Sequence, residues 1–197
     1  MNLPNKLSLF RMLLVPVLVI VYLFPYAQFH IDVFAFHFDY VTLSVVDIAC
    51  LAIFALASFT DFLDGNIARK YHLITSFGKF VDPIADKLLV NTSFILLAFS
   101  GRVPVVAVIV MIWRDSIVDG IRMMAANKGR VMAAGILGKL KTVLQMIAII
   151  VCFLCNLPFA LFNFPMDHFL VWAATVVSIL SGIRYFNQAK DILLESK

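Results

Sequence analysis

The 197-residue chain is 62% apolar with a mean hydropathy of +0.97, well above the roughly 45–50% apolar content of soluble domains, which excludes a soluble globular enzyme. Only 14% of its residues are charged, and they fall between or at the ends of apolar runs that approach or exceed the ~20 residues needed to cross a bilayer. The formal net charge is +4, no nucleic-acid partner is expected, and the length suits one polytopic membrane domain over residues 1–197 but not a second, soluble one.

In chain order the apolar segments predict six helices: Pro4 to Phe24, Val41 to Tyr71, Gly78 to Ser100, Val103 to Asn127, Leu137 to Asn156 and Asp167 to Leu194. The first run, Leu9 to Phe24, follows Lys6 and Arg11 as the core of a signal peptide would. No A-x-A-like cleavage site follows at Pro25-Tyr26-Ala27, so a retained first span is expected. Pro25, Gly101 with Pro104, Gly129 with Gly135, and Pro158 with Pro165 mark the turns. If the N-terminus is cytoplasmic, every Lys and Arg except Arg102 falls on or toward the cytoplasmic side. The loops Pro25 to Tyr40 and Leu157 to His168 contain Asp and His but no Lys or Arg, the asymmetry by which the positive-inside rule fixes orientation. The expected fold is all-α: a polytopic protein of the cell (cytoplasmic) membrane with six transmembrane helices and both termini cytoplasmic.

Cys50, Cys152 and Cys155 all lie in apolar segments. The Cys152-Phe153-Leu154-Cys155 spacing has no second Cys pair or His cluster to complete a metal site, so the cysteines read as small apolar packing residues. The four histidines are scattered at 30, 37, 72 and 168 without ligand spacing.

The chemistry lies in Asp61-Phe62-Leu63-Asp64-Gly65-Asn66-Ile67-Ala68-Arg69, followed by Gly78-Lys79-Phe80-Val81-Asp82-Pro83-Ile84-Ala85-Asp86. Asp61 and Asp64 are three residues apart and Asp82 and Asp86 four, so each pair projects from a single helix face. The short connection after Arg69 makes the two helices antiparallel neighbours, and the positive charges place their meeting point near the cytoplasmic surface, where the active site is expected to face. Four carboxylates in so small a volume repel one another and are costly to desolvate unless cations neutralise them. Oxygen ligands without Cys or His favour Mg²⁺ or Mn²⁺ over Zn²⁺, and a pair of such ions can clamp a phosphoryl group undergoing in-line displacement. Gly65 and Ala68, one helical turn apart, leave space for a pyrophosphate to approach the backbone, and Arg69 offers it a guanidinium. Small residues of this kind also serve ordinary helix packing in membranes; beside four aspartates the binding role is preferred.

The pattern D-x-x-D-G-x-x-A-R, eight residues, then G-x-x-x-D-x-x-x-D resembles the signature of the CDP-alcohol phosphotransferase family and matches it at each fixed position. The six-span layout extends the resemblance over nearly the whole chain. It implies that Asp61, Asp64 and Asp82 hold one metal, that Asp64, Asp82 and Asp86 hold a second, and that Asp86 also serves as general base. It further implies CDP contacts from Asn5, Ser8, Gly65, Arg69, Thr75 and Gly78, and a homodimer, although no GxxxG pair marks a dimer face.

Acceptor identity rests on a second cationic group: Arg114, Arg122, Lys139, Lys141 and Arg184, which suits the phosphate of a phosphorylated alcohol. Lys139 and Lys141 also read as positive-inside anchors at a helix start. Arg114, about eleven residues into its apolar span beside Asp115 with Asp119 and Arg122 nearby, is less easily set aside because uncompensated charge is costly there; its alternative is an internal salt-bridge network. The segments Leu3 to Arg11, Trp113-Arg114-Asp115 with Gly120-Ile121-Arg122, and Gly138 to Thr142 look like the branch of the family that acts on glycerol 3-phosphate. The implied reaction joins CDP-diacylglycerol and sn-glycerol 3-phosphate to give phosphatidylglycerophosphate and CMP by direct displacement. The competing readings are a sister enzyme using inositol phosphate, serine or another alcohol, a transporter or channel, and a membrane scaffold. The clustering of the acids at one surface speaks against a permeation path.

Overall fold

The computed structural model describes residues 2–38, 41–71, 75–130, 132 and 135–193, with the side chains at 3, 68, 69, 76, 77, 79, 192 and 193 outside the description. Among the described residues six α-helices carry the fold: α1 Leu3–Leu23, α2 Val45–Lys70, α3 Ser76–Phe99, α4 Val105–Asn127, α5 Ile136–Phe153 and α6 Met166–Leu193. Their starts follow from local chemistry. Asn2 caps α1 by accepting from the Asn5 amide, with Pro4 in the first turn, where its missing N–H costs nothing. Ser44 and Asp47 form a reciprocal capping box on α2, and Thr75 caps α3 through the Gly78 amide, each satisfying amides that have no partner inside the helix.

The purely helical expectation is corrected in one place. The segment assigned to the start of the second helix, Val41 to Ser44, is instead the strand β2, which pairs antiparallel with β1, Ala35–Phe38. Short 3₁₀ turns at Tyr26–Phe29 and Phe159–Phe162 complete the connections at that end of the bundle. The β-branched and aromatic residues that make an apolar run read as helix also favour strand, and over so few residues periodicity does not separate the two.

α1 packs on α2 and α3, and α6 on α4 and α5. Leu18, Cys50, Phe54, Phe94, Leu97 and Phe153 fill the interior between them. At the end where α2 begins, Asp47 is buried and receives two hydrogen bonds from Arg102, at 2.7 and 3.0 Å. Tyr22 donates to Ser100 at 2.7 Å nearby. This clamp joins the start of α2 to the turn between α3 and α4. Cys155 Sγ lies 3.8 Å from the same Asp47 carboxylate, and burial, opposed by the Arg102 charge, pushes that thiol up to about 11. The three cysteines are free thiols, and a thiol held so high is a poor nucleophile.

Among the described residues four helices are long and apolar enough to cross a membrane by length and composition: α1, α2, α5 and α6. The chain is a multi-pass membrane protein. α3 and α4 fall outside that count because each is charged along half its length, α3 at Lys79, Asp82, Asp86 and Lys87, and α4 at Arg114, Asp115, Asp119 and Arg122.

Candidate active site

Three helices bring their polar residues to one end of the bundle, opposite the Asp47–Arg102 clamp. On α1, Asn5, Ser8 and Arg11 recur every third residue along one face and are all buried, Arg11 completely. Polar side chains in the interior of an apolar helix need partners, and α2 and α3 supply them. The Arg11 guanidinium forms ion pairs with Asp61 and with Asp64. Ser8 donates to Asp82 Oδ1 at 2.6 Å, and its oxygen also lies 3.3 Å from Asp64 Oδ2 and 3.1 Å from the Pro4 carbonyl. A hydroxyl has a single proton, and the shortest contact assigns it to Asp82.

The start of α3 closes this face. Thr75 donates to Asn5 Oδ1 at 2.9 Å and accepts from the Gly78 amide at 3.0 Å. A Cβ on Gly78 would lie 3.2 Å from Asn5 Oδ1, 3.3 Å from Thr75 Oγ1 and 3.7 Å from Asp82 Oδ2. The glycine therefore permits a close approach of α1 to α3 that any side chain would crowd. Gly65 follows Asp64 directly on α2 and is half-buried. The side chains of Ala68 and Arg69, both expected at the nucleotide, lie outside the described residues.

Of the four aspartates, three are linked through α1: Asp61 and Asp64 by Arg11, and Asp64 and Asp82 by Ser8. Asp86 lies one turn beyond Asp82 and lines an adjoining cavity of about 210 Å³. No group of three or more His, Cys, Asp or Glu side chains among the described residues is arranged to hold a metal ion. The carboxylates of α2 close on the guanidinium instead. Nη1 meets Asp61 without hydrogen-bond alignment, and the buried Nε has no hydrogen-bond partner. Arg11 thus supplies the positive charge that the acids demand while its own donors are incompletely met. An all-oxygen, anionic donor set that draws in a cation in this way fits a hard divalent ion.

The cavity beside Asp86 is lined by Lys87 of α3, by Arg114, Asp115, Asp119 and Arg122 of α4, by Lys141 and Gln145 of α5, and by Tyr185 of α6. Asp115 is its buried anchor. Both of its oxygens accept from Lys141 Nζ, and Oδ1 also accepts from Arg114 Nη1 at 2.9 Å. Arg114 is held further by the Ser178 carbonyl at 3.1 Å and by Ser181 Oγ at 2.5 Å. The Arg114 and Arg122 guanidiniums lie 5.6 and 5.9 Å from the Tyr185 ring centroid, within cation–π range. Lys87 and Asp119 pair at the more open part of the lining.

Of the five cations expected around an acceptor phosphate, the structure gathers Arg114, Arg122 and Lys141. Lys139 and Arg184 are exposed and do not line the cavity. Lys139 and Lys141 are two residues apart, which on a helix turns them to different faces, a distinction the spacing itself carries. Arg11 and Tyr185 were not expected here, and Asp115 was expected only as the partner of Arg114 in an internal salt-bridge network. Arg11 leaves a signal in the three-residue recurrence of polar residues from Asn5, whereas Tyr185 leaves none.

The chain belongs to the CDP-alcohol phosphatidyltransferase family, whose profile matches residues 1–180. A member of that family is an enzyme, and the acid face with its neighbouring cationic cavity is the part of this fold suited to a phosphorylated substrate. Among curated proteins the chain is similar to the CDP-diacylglycerol–glycerol-3-phosphate 3-phosphatidyltransferase of Bacillus subtilis, 40% identical over 195 residues that make up 99% of this chain and 98% of the relative. It is also similar to the protein of the same name from Rickettsia typhi, 34% identical over 190 residues, 96% of this chain and 97% of the relative.

Proposed function

We propose that this protein transfers the phosphatidyl group of CDP-diacylglycerol to sn-glycerol 3-phosphate, giving phosphatidylglycerophosphate and CMP, with all six helices crossing the cytoplasmic membrane as a single domain and the acid face toward the cytoplasm. The observation that carries the reading is adjacency: the aspartates of α2 and α3 converge beside a cavity whose cations Arg114, Arg122 and Lys141 suit an acceptor phosphate. The relatives' shared name supports the same pair of substrates.

Asn5, Ser8, Gly65, Arg69, Thr75 and Gly78 bind the CDP portion, with Gly78 and Gly65 leaving the backbone approachable. Asp61, Asp64, Asp82 and Asp86 fit two divalent ions, Mg²⁺ or Mn²⁺, which when bound would polarise the pyrophosphate. Arg114, Arg122 and Lys141 orient the acceptor phosphate so that its free hydroxyl faces the lipid-side phosphorus. Asp86, standing between the two regions, accepts the proton of that hydroxyl. The new bond forms from the acceptor oxygen to phosphorus, the bond from that phosphorus to the CMP oxygen breaks, and CMP leaves with the electron pair. Holding the two reactants in line beside one base supplies much of the rate by orientation alone.

The test is a panel assay of purified protein in mixed micelles, with CDP-diacylglycerol against glycerol 3-phosphate, inositol phosphate and serine. Turnover confined to glycerol 3-phosphate is expected. Turnover with inositol phosphate but not glycerol 3-phosphate would overturn the assignment.

A further inference from the structure

At the end of the bundle away from the acids, the connection from α1 to α2 presents aromatic side chains outward. Phe34 is 64% and Phe36 44% exposed, and Phe29 and Phe38 are exposed as well. The hairpin register pairs Phe36 with Leu43 and Phe38 with Val41, and it pairs His37 with Thr42. Side chains alternate across a strand, so one face of the hairpin is apolar and the other carries His37 and Thr42, whose Nδ1 and Oγ1 lie 3.3 Å apart. The Phe34 ring packs edge-on against Phe36 with centroids 5.0 Å apart, and the Phe34 carbonyl accepts from the Val45 amide at 3.0 Å. The apolar face is thereby fixed to the first turn of α2. Leu43 on this face is already buried against the protein while Phe36 and Phe38 are open, and a two-stranded hairpin on its own is marginal in water, so the open part of the face needs a cover.

Three observations identify the cover. The outward face of α1, exposed at Leu13, Val17 and Ile20, leads into Phe24, whose ring stacks on Phe29 at 5.2 Å; the patch continues the surface that a spanning helix gives to lipid. The segment from Pro25 to Ser44 contains two acids, Asp32 and Asp39, and no Lys or Arg, the composition of a connection on the side of the membrane away from the cytoplasm. The connection between α5 and α6 reaches the same end, as the Cys155–Asp47 contact requires, and it too exposes apolar side chains at Leu161, Phe162 and Phe164.

We propose that the β1–β2 hairpin is an interfacial anchor: it lies in the leaflet opposite the acid face, with Phe34, Phe36 and Phe38 at the acyl boundary and His37 and Thr42 turned to water. Phe side chains on the apolar face of an element lying in the interface bury at the headgroup–acyl boundary. The anchor rests on the reading of the long helices as membrane spans, and the experiment separates the two.

The chain has two tryptophans, Trp113 and Trp172, neither placed in the site above. In a Trp113→Phe, Trp172→Phe background, three single reporters are made, Phe36→Trp, His37→Trp and Ile20→Trp. The full-length proteins are reconstituted in phosphatidylglycerol–phosphatidylcholine vesicles, and transferase activity reports that each has folded. The Phe36→Trp emission should be lost to lipids brominated near the headgroup and spared by aqueous acrylamide. His37→Trp should show the reverse, and Ile20→Trp should be quenched by lipids brominated at mid-chain. If Ile20→Trp responds to lipid while Phe36→Trp responds only to acrylamide, the anchor is wrong and the spans stand. A Phe36→Trp reporter shielded from both quenchers means that a second copy of the chain covers the face, which also overturns the anchor. Failure of Ile20→Trp to meet lipid removes both readings. Should Phe36→Trp not fold, Phe38→Trp on the same face carries the same expectations.

Discussion

Arg11 is the residue whose role the structure changes most. A cation near the start of an apolar run reads as a positive-inside anchor, and only its recurrence three residues after Ser8, itself three after Asn5, points to burial against Asp61 and Asp64. The aspartates themselves were legible because three- and four-residue spacing on a helix fixes a common face whatever the tertiary context. If Arg11 is the counter-ion of the acid face, Arg11→Met should cost about 3 kcal/mol of stability without added metal, since Asp64 remains buried with its charge uncompensated. Added Mg²⁺ should then raise the Tm of the variant more than that of the parent. Equal shifts would show that the guanidinium and the ion do not serve the same carboxylates. Asp86→Asn should lower kcat by about 10²–10⁴-fold, the usual contribution of a positioned base, and nucleotide binding followed by calorimetry should persist. Loss of CDP binding in step with kcat would move Asp86 from chemistry to assembly of the site.

At the scale of elements, α4 and α5 show how a partner resolves a choice that sequence leaves open. Arg114 beside Asp115 was compatible with a salt-bridge network or with a phosphate site, and the structure contains the network, with Lys141 as its third member at the wall of the cavity. On the proposed reading Asp115 is a positioning residue that holds Arg114 and Lys141 at the cavity at some expense of their charge. Asp115→Asn should raise the KM for glycerol 3-phosphate about tenfold, equivalent to ~1.4 kcal/mol, with little change in the KM for CDP-diacylglycerol. Lys141→Ala should do the same and Lys139→Ala should not. Equal effects on both substrates would reduce the network to a packing role. The hairpin was illegible for a different reason: in Phe34 to Ser44 nearly every residue suits either a strand or the first turns of an apolar helix, and pairing between strands decides between them.

Over the whole molecule, the order and approximate limits of all six helices followed from hydropathy, because a bilayer leaves the backbone few ways to satisfy itself. What hydropathy does not reveal is which cations find acids in other helices. Arg102, the one cation expected at the far surface, is tied to buried Asp47, so Arg102→Met should loosen the join between the start of α2 and the turn before α4. A loss of about 3 kcal/mol is expected in detergent unfolding, and an unchanged midpoint would mean that water reaches Asp47. Chelation with EDTA should abolish turnover and Mg²⁺ should restore it, while turnover that survives exhaustive chelation would rule out divalent ions from the chemistry. Reporter fusions at the two termini should both score as cytoplasmic; opposite sides would leave an odd number of crossings.

The uneven distribution of charge along α3 and α4 has a bearing on how two unlike reactants meet. From Leu88 to Phe99, and again from Val105 to Trp113, these helices carry no charge, which at 1.5 Å per residue leaves only about 14–18 Å of dry length, well short of a ~30 Å hydrocarbon layer. With α3 and α4 crossing the membrane as proposed, their charged halves and the cavity beside Asp86 would lie just below the cytoplasmic surface. On that reading a water-soluble phosphorylated acceptor would reach the headgroup level of a lipid diphosphate from the aqueous side, and neither reactant would have to leave its own medium for the bond between them to form.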